Sequence, residues 1–339
     1  MKRTVAALAA LALLTPSCVA EAPIVDVLTH DFFAVSDEVI DAFTAQTGVE
    51  VRILRGGDAG LIVNEAILTA GKPVADVLYG IDNTLLSRAL EHDVFVRFVS
   101  GFDPEIPDEF KLDPRVTPVD FGDVCLNYDK SAFEGAVPPP ATLEDLVDPR
   151  YRGMLVVEDP SISSPGLAFM LATIARFGET GDYTWLDYWV DLRANDVAIA
   201  PDWGTAYYGM FSGAGDGDRP IVVSYATSPA AEVMDAEPPI PETSTGVIRD
   251  GCYRQIEFAG ILRGADHPVN AELFIEFLLS LEFQEDVPGQ MFVYPVRTDA
   301  ALPAWFGELP TDTPPGLTPD EIEANRDRWL TEWADAVLR

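Results

Sequence analysis

The chain has 339 residues, enough for about two domains of roughly 150 residues each, and 48% hydrophobic content is sufficient for packed cores. Lys and Arg number 22 against 56 Asp and Glu, a net charge of −34. Such a surface repels phosphate backbones, which excludes nucleic acid as a partner, and it draws in cations; the same acidity also suits adaptation to a milieu.

Lys2 and Arg3 precede an apolar run over residues 5–14, which is followed by Thr15-Pro16-Ser17-Cys18. A charged start, an apolar stretch too short for a bilayer and a small-residue zone predict an export signal over residues 1–20. Two processing routes fit it. One is lipidation of Cys18, with anchoring to the outer face of the cytoplasmic membrane; the other is cleavage after Ala20 and release into the periplasm. No later segment reaches the roughly 18 apolar residues of a membrane span. Export places Cys125 and Cys252 in an oxidising compartment, where a disulfide and two free buried thiols are both open readings. His30, His92 and His267 are the only histidines and lack ligand spacing, so neither a metal site nor a cofactor is expected.

In chain order, residues 25–33 read as a strand, and Ser36 precedes a helix over 37–47 that stops at Gly48. Residues 49–54 form a second strand, 60–70 a helix, 75–80 a third strand and 83–92 a helix. This β-α-β-α-β order predicts a parallel sheet covered on both faces. The pattern returns with a strand at 153–158 and a helix capped by Ser164 with Pro165 at its start. A strand at 197–200, a helix at 205–212 and a strand at 221–225 follow, and Ser228-Pro229 repeats the cap-plus-proline device. The divide between the two units falls near residues 120–128, and a strand at 255–262 carries the chain back to the first. Proline-rich patches at 137–140 and 237–241 read as surface loops. Thr318-Pro319-Asp320-Glu321 has the form of a capping box opening a helix over 318–338.

Ligands of open α/β sheets bind beyond the carboxyl ends of the strands. Polar and aromatic residues stand there in both units: Thr29-His30-Asp31, Gly57-Asp58, Gly80-Ile81-Asp82-Asn83, residues 161–164, Asp202-Trp203 and residues 225–228. Two facing rims of this kind make a cleft.

These rims, with Asp120-Phe121-Gly122, Asn127-Tyr128-Asp129-Lys130, Glu158-Asp159-Pro160, Ser224-Tyr225-Ala226-Thr227-Ser228-Pro229-Ala230, Tyr294-Pro295-Val296 and the tail containing Arg326, Trp329, Glu332-Trp333 and Arg339, carry a resemblance. From about residue 25 to 339 the chain resembles the periplasmic thiamine-binding proteins of bacterial ABC importers, which have the type II periplasmic-binding fold. The resemblance implies an α/β protein of two lobes, two open and mostly parallel sheets joined by a hinge. Its expected bounds are 22–122 plus 258–296 for lobe 1, 123–257 for lobe 2, and 297–339 for a C-terminal helical segment packing on the lobes. It implies a monomer that delivers thiamine, or its phosphates, to a membrane permease.

By position, the resemblance puts Asp58 on the carboxylate that addresses the aminopyrimidine and Ser163 near the hydroxyethyl or phosphate end. It puts Trp203 on the stacking tryptophan and Tyr225 on the tyrosine of the Ser-Tyr-x-Thr-Ser-Pro segment. His30, Phe292, Asp82 and Asp120 complete the candidate set. Each has a plainer reading as well: Asp58 suits a helix N-cap, Ser163 supports the neighbouring cap, His30 suits a hydrogen-bonded structural histidine, Asp82 and Asp120 suit a hinge brace, and Trp203, Tyr225 and Phe292 suit a core. The chain departs from the family pattern where His30 and Ala231 replace tyrosines and Phe292 replaces a tryptophan, losses that Tyr208 or Tyr253 would offset. Asp202 stands where the family has a basic residue, which disfavours phosphorylated ligands.

Three rival functions remain. Another small cation, such as a polyamine or a thiamine precursor, suits the acidity, and ferric iron suits the Tyr207-Tyr208 pair. Catalysis finds no support: no Gly-x-Ser-x-Gly elbow, phosphate loop or His-Glu-x-x-His occurs.

Overall fold

A computed structural model describes residues 22–234, 242–306 and 316–339. The export signal with Cys18, and the loop at 237–241, lie outside the described residues.

The first half carries strands β1 (Ile24–Thr29), β2 (Glu50–Arg55) and β3 (Val77–Asp82), with helices α1 (Asp37–Thr47), α2 (Ala59–Leu68) and α3 (Leu86–Glu91) between and after them. α1 begins after Ser36, whose side chain makes no capping bond, and ends at Gly48, whose φ of 73° closes the last turn with a bond to Thr44. Strand β4 (Thr117–Asp129) then leads into the second half: β5 (Leu155–Glu158), α4 (Ser164–Phe177), α5 (Trp185–Ala194), β6 (Ala198–Ala200), β7 (Ile221–Tyr225) and α6 (Ala230–Met234). Strand β8 (Thr245–Ile261) returns to the first half, followed by α7 (Pro268–Leu278), α8 (Leu281–Gln290), β9 (Tyr294–Pro295) and α9 (Pro319–Val337).

The two α/β units form as expected, with β1 parallel to β2 and β3, and β5 parallel to β6 and β7. The sheets are continuous with each other, in the order β2-β1-β3-β8-β4-β7-β5-β6. The join is antiparallel throughout, because the chain crosses outward on β4 and back on β8. The expected divides at 122/123 and 257/258 fall inside these two strands. β4 itself is illegible as a strand by alternation: both faces are buried over most of its length, and Pro118, Asp120, Gly122 and Asp123 interrupt its apolar run.

Two local expectations shift. The N-cap of α4 is Ser163, with Ser164 already helical, because Pro165 suits the first turn from either position. Residues 205–210 wind as a π-helix. α9 carries the capping box Thr318/Glu321. It packs on α3 from the first half and α5 from the second, with Trp333 edge-on to Trp189 at 5.6 Å. The C-terminal helix therefore touches both lobes.

Cys125 on β4 and Cys252 on β8 form a disulfide with Cα atoms 4.4 Å apart, which decides between the two readings left open by the sequence.

Candidate functional site

The carboxyl ends of the strands face one another across a cleft of about 870 Å³ including its mouth. From the first half come His30, Phe32, Asp58 and Ala59; from the second Ser164, Pro165, Trp203, Tyr207, Tyr208, Ser228 and Ala231; β4, β7, β8 and the 291–293 segment complete the wall. Six of the eight candidates line it: His30, Asp58, Asp120, Trp203, Tyr225 and Phe292. Ser163 and Asp82 do not. Ser163 is buried beside Asp58, and Asp82 lies one layer behind the wall. The turn after β3 takes Asp82 out of play, since Oδ1 accepts from Thr84 N at 3.0 Å, Thr84 Oγ1 at 2.6 Å and Leu85 N at 3.1 Å. Asp82 reaches the wall only through Gln255, which donates to Asp82 and to Ser164 Oγ and accepts from the Tyr225 hydroxyl at 2.6 Å.

The aromatic wall is an interlocked set. Trp203 stacks on Tyr207 with centroids 4.9 Å apart and planes 13° from parallel, and Phe32 and Tyr208 meet it edge-on at 4.6 and 5.5 Å. The indole N–H donates to Ser224 Oγ at 3.1 Å, which orients the ring. Tyr208 stands in the cleft that Ala231 also lines, whereas Tyr253 is buried elsewhere in the core. Phe292 holds a left-handed φ of 56°, an unusual backbone for phenylalanine at the cleft wall.

The two lobes touch across the cleft. Asp58 caps α2 by accepting from Ala59 N at 2.7 Å, and its other oxygen accepts from Trp203 N at 3.3 Å in the opposite lobe. Gly60 N donates to Ile162 O at 3.0 Å, and any side chain at Gly60 would collide with that carbonyl. Asp58 is thus both cap and cleft residue, and its two readings are compatible. Gly80, at φ 92°, leaves the room that the His30 ring occupies.

Sequence reasoning missed Glu257, Gln255 and Phe32. Glu257 lies opposite Asp82 on β3 and opposite Asp120 on β4, so three acids stand in one row across three strands. His30 Nε2 lies 3.5 Å from Glu257 Oε2. No Lys or Arg lines the cleft among the described residues. Only strand register brings residues this far apart in sequence together.

Burial sets the protonation of these acids. It raises the Asp82 carboxyl to about 6, and holds Asp120 well above the usual range with further help from the charge of Glu257. Glu158, fully buried with both carboxyl oxygens unpartnered, is likewise pushed well above, and Asp58 is raised by burial. Burial opposes charge on His30, yet Glu257 beside it leaves the imidazole raised. An acid whose folded pKa is raised stabilises the fold fully below its unfolded value and loses that contribution as pH climbs through the folded value. For Asp82, going from 3.8 to about 6 is worth about 3 kcal/mol. The unliganded protein is therefore expected to melt at a higher temperature at pH 5 than at pH 8, and Asp82→Asn to narrow the gap by raising the pH 8 value. Thermal melts followed by circular dichroism check this; a melting temperature flat across that range would contradict it.

The Tyr207-Tyr208 pair is poorly suited to ferric iron. The rings are 86° apart, Tyr207 is committed to Trp203, and burial raises its phenol, opposing the phenolate that iron requires. No helix of the described residues is long and apolar enough to cross a membrane.

The family profile of bacterial extracellular solute-binding proteins matches residues 72–332. The thiamine-binding periplasmic protein of Salmonella typhimurium is 31% identical over 323 residues, covering 94% of each chain. A solved periplasmic thiamin binding protein superimposes with a TM-score of 0.83 at 28% identity, covering 96% of this chain and all of that one. Iron-bound HitA from Pseudomonas aeruginosa superimposes with a TM-score of 0.76 at 21% identity, over 93% of this chain and 99% of its own, a likeness of fold alone.

Proposed function

This chain belongs to the bacterial extracellular solute-binding protein family, and from that premise we propose that it captures thiamine outside the cytoplasmic membrane and presents it to the permease of an ABC importer. The observation that carries the reading is the composition of the cleft: six aromatic rings, three carboxyl groups and no lysine or arginine at the meeting of two lobes. A flat cation gains from stacking and from cation–π attraction, and a carboxylate suits an aminopyrimidine. Anionic phosphates find no lysine or arginine among the lining residues, so free thiamine is the preferred form.

Capture needs no bond chemistry, and the chain acts as a monomeric binding protein rather than an enzyme. Cargo contacting Trp203 on one side and Asp58 and Phe32 on the other stabilises the arrangement in which the lobes touch. The permease then distinguishes that state from an open one. Only the difference in cargo affinity between the two states drives the switch.

Thermal shift with thiamine, thiamine phosphate and spermidine tests the reading. A ligand at 100 times its Kd adds about 2.7 kcal/mol of stability. Thiamine is expected to raise the melting temperature and spermidine to leave it near its starting value. A response to spermidine alone would transfer the site to polyamines, and a visible charge-transfer band on adding ferric ion would transfer it to iron.

A further inference from the structure

The two facing acids on the cleft floor, Asp120 and Glu257, suggest more than a counter-charge. Asp120 and Glu257 face each other on adjacent antiparallel strands, and Asp82 flanks Glu257 on its other side. Asp120 is fully buried; one oxygen accepts from the Tyr79 hydroxyl, and Oδ1, beside the Glu257 carboxyl, has no donor group as a partner among the described residues although the residue lines the cleft. Like charges placed directly opposite in a sheet repel, and out of water two adjacent carboxylates require either a proton or a cation between them.

Among the described residues no lysine or arginine lines the cleft beside the pair, and His30 lies against Glu257 alone, which leaves Asp120 without a counter-charge of its own. Tyr79 and Asp82 face the pair from β3, Tyr225 from β7, His30 from the end of β1 and Asp58 from the start of α2, with Arg55 near His30. The segment at 291–293 adds Met291, Phe292 and Val293, none of which titrates. His30 touches Glu257, not Asp120.

Resting on the thiamine reading, we propose that Asp120 and Glu257 form a cation-binding floor, and that a flat organic cation seated there expels the proton that Asp120 holds beside Glu257. The O–H bond of the Asp120 carboxyl breaks, its electron pair stays on oxygen, and the proton passes to solvent and buffer. The cation takes its place as the neutralising charge. Cargo binding is thereby linked to pH: affinity rises as pH rises, by up to about tenfold per pH unit where one full proton is released.

Calorimetry of thiamine binding to the whole protein at pH 7, in two buffers of different ionisation enthalpy, reads the proton count directly. Wild type is expected to release about one proton per thiamine. Asp120→Asn keeps an oxygen for Tyr79 and is expected to abolish the release, while His30→Gln is expected to retain it. Glu257→Gln serves as the second variant should Asp120→Asn fail to fold, and is expected to behave alike. Thiamine binding with no net release, or a release that vanishes only in His30→Gln, overturns the proposal and leaves the thiamine reading intact. Absence of any thiamine binding removes the cargo assignment and this proposal together.

Discussion

Replacing Trp203 by alanine is expected to weaken thiamine binding by about 5- to 150-fold, equivalent to about 1–3 kcal/mol for one lost base stack. Three neighbours hold the ring in a fixed orientation. Tyr207 backs one face at 4.9 Å, Ser224 fixes the indole N–H, and Phe32 meets it edge-on from the other lobe. Its main chain also donates to Asp58, so the stacking plate and the carboxylate share one lobe-to-lobe contact. Alanine at 203 keeps that backbone bond and loses the ring, which separates the two contributions. Asp82→Ala, one layer behind the wall, is expected to change affinity less. Calorimetry on both variants decides: equal small losses would mean that stacking is not what holds the cargo.

The disulfide carries the second large effect. Cys125 and Cys252 are separated by 127 positions in sequence, and a cross-link over so long a loop removes much of the freedom of the unfolded chain. The double variant Cys125→Ala with Cys252→Ala is expected to lose about 2–5 kcal/mol of stability. Both residues are buried where β4 and β8 already pair, at Val124 and Tyr253 next door, so the folded state keeps its backbone ladder without the bond. The loss should therefore appear in urea denaturation of the unliganded protein while thiamine affinity stays near wild type. Unchanged urea midpoints would show that the unfolded chain is little restrained by the cross-link.

Much of the architecture was legible because it is written locally. The alternation of strands and helices, Gly48 closing α1, and the Thr318/Glu321 box opening α9 each depend on residues within a few positions of one another. Strand β4 was not legible, since a strand buried on both faces and broken by Pro118 and three polar or glycine positions has no alternation to read. The caps also slipped by one residue at α4, where two serines precede one proline and only packing selects between them.

The same division runs through the site. From the sequence alone came two α/β units, the rims at their strand ends, and the aromatic and acidic character of those rims; six of the eight candidate residues line one cleft, from both of its sides. Only the tertiary structure decided that Cys125 pairs with Cys252, that Asp82 turns away to hold the β3–α3 turn, and that Glu257 belongs with Asp120. These outcomes rest on the register of strands distant in sequence. A one-residue slip of β8 would send Glu257 to the opposite face, and no local pattern reports such a slip.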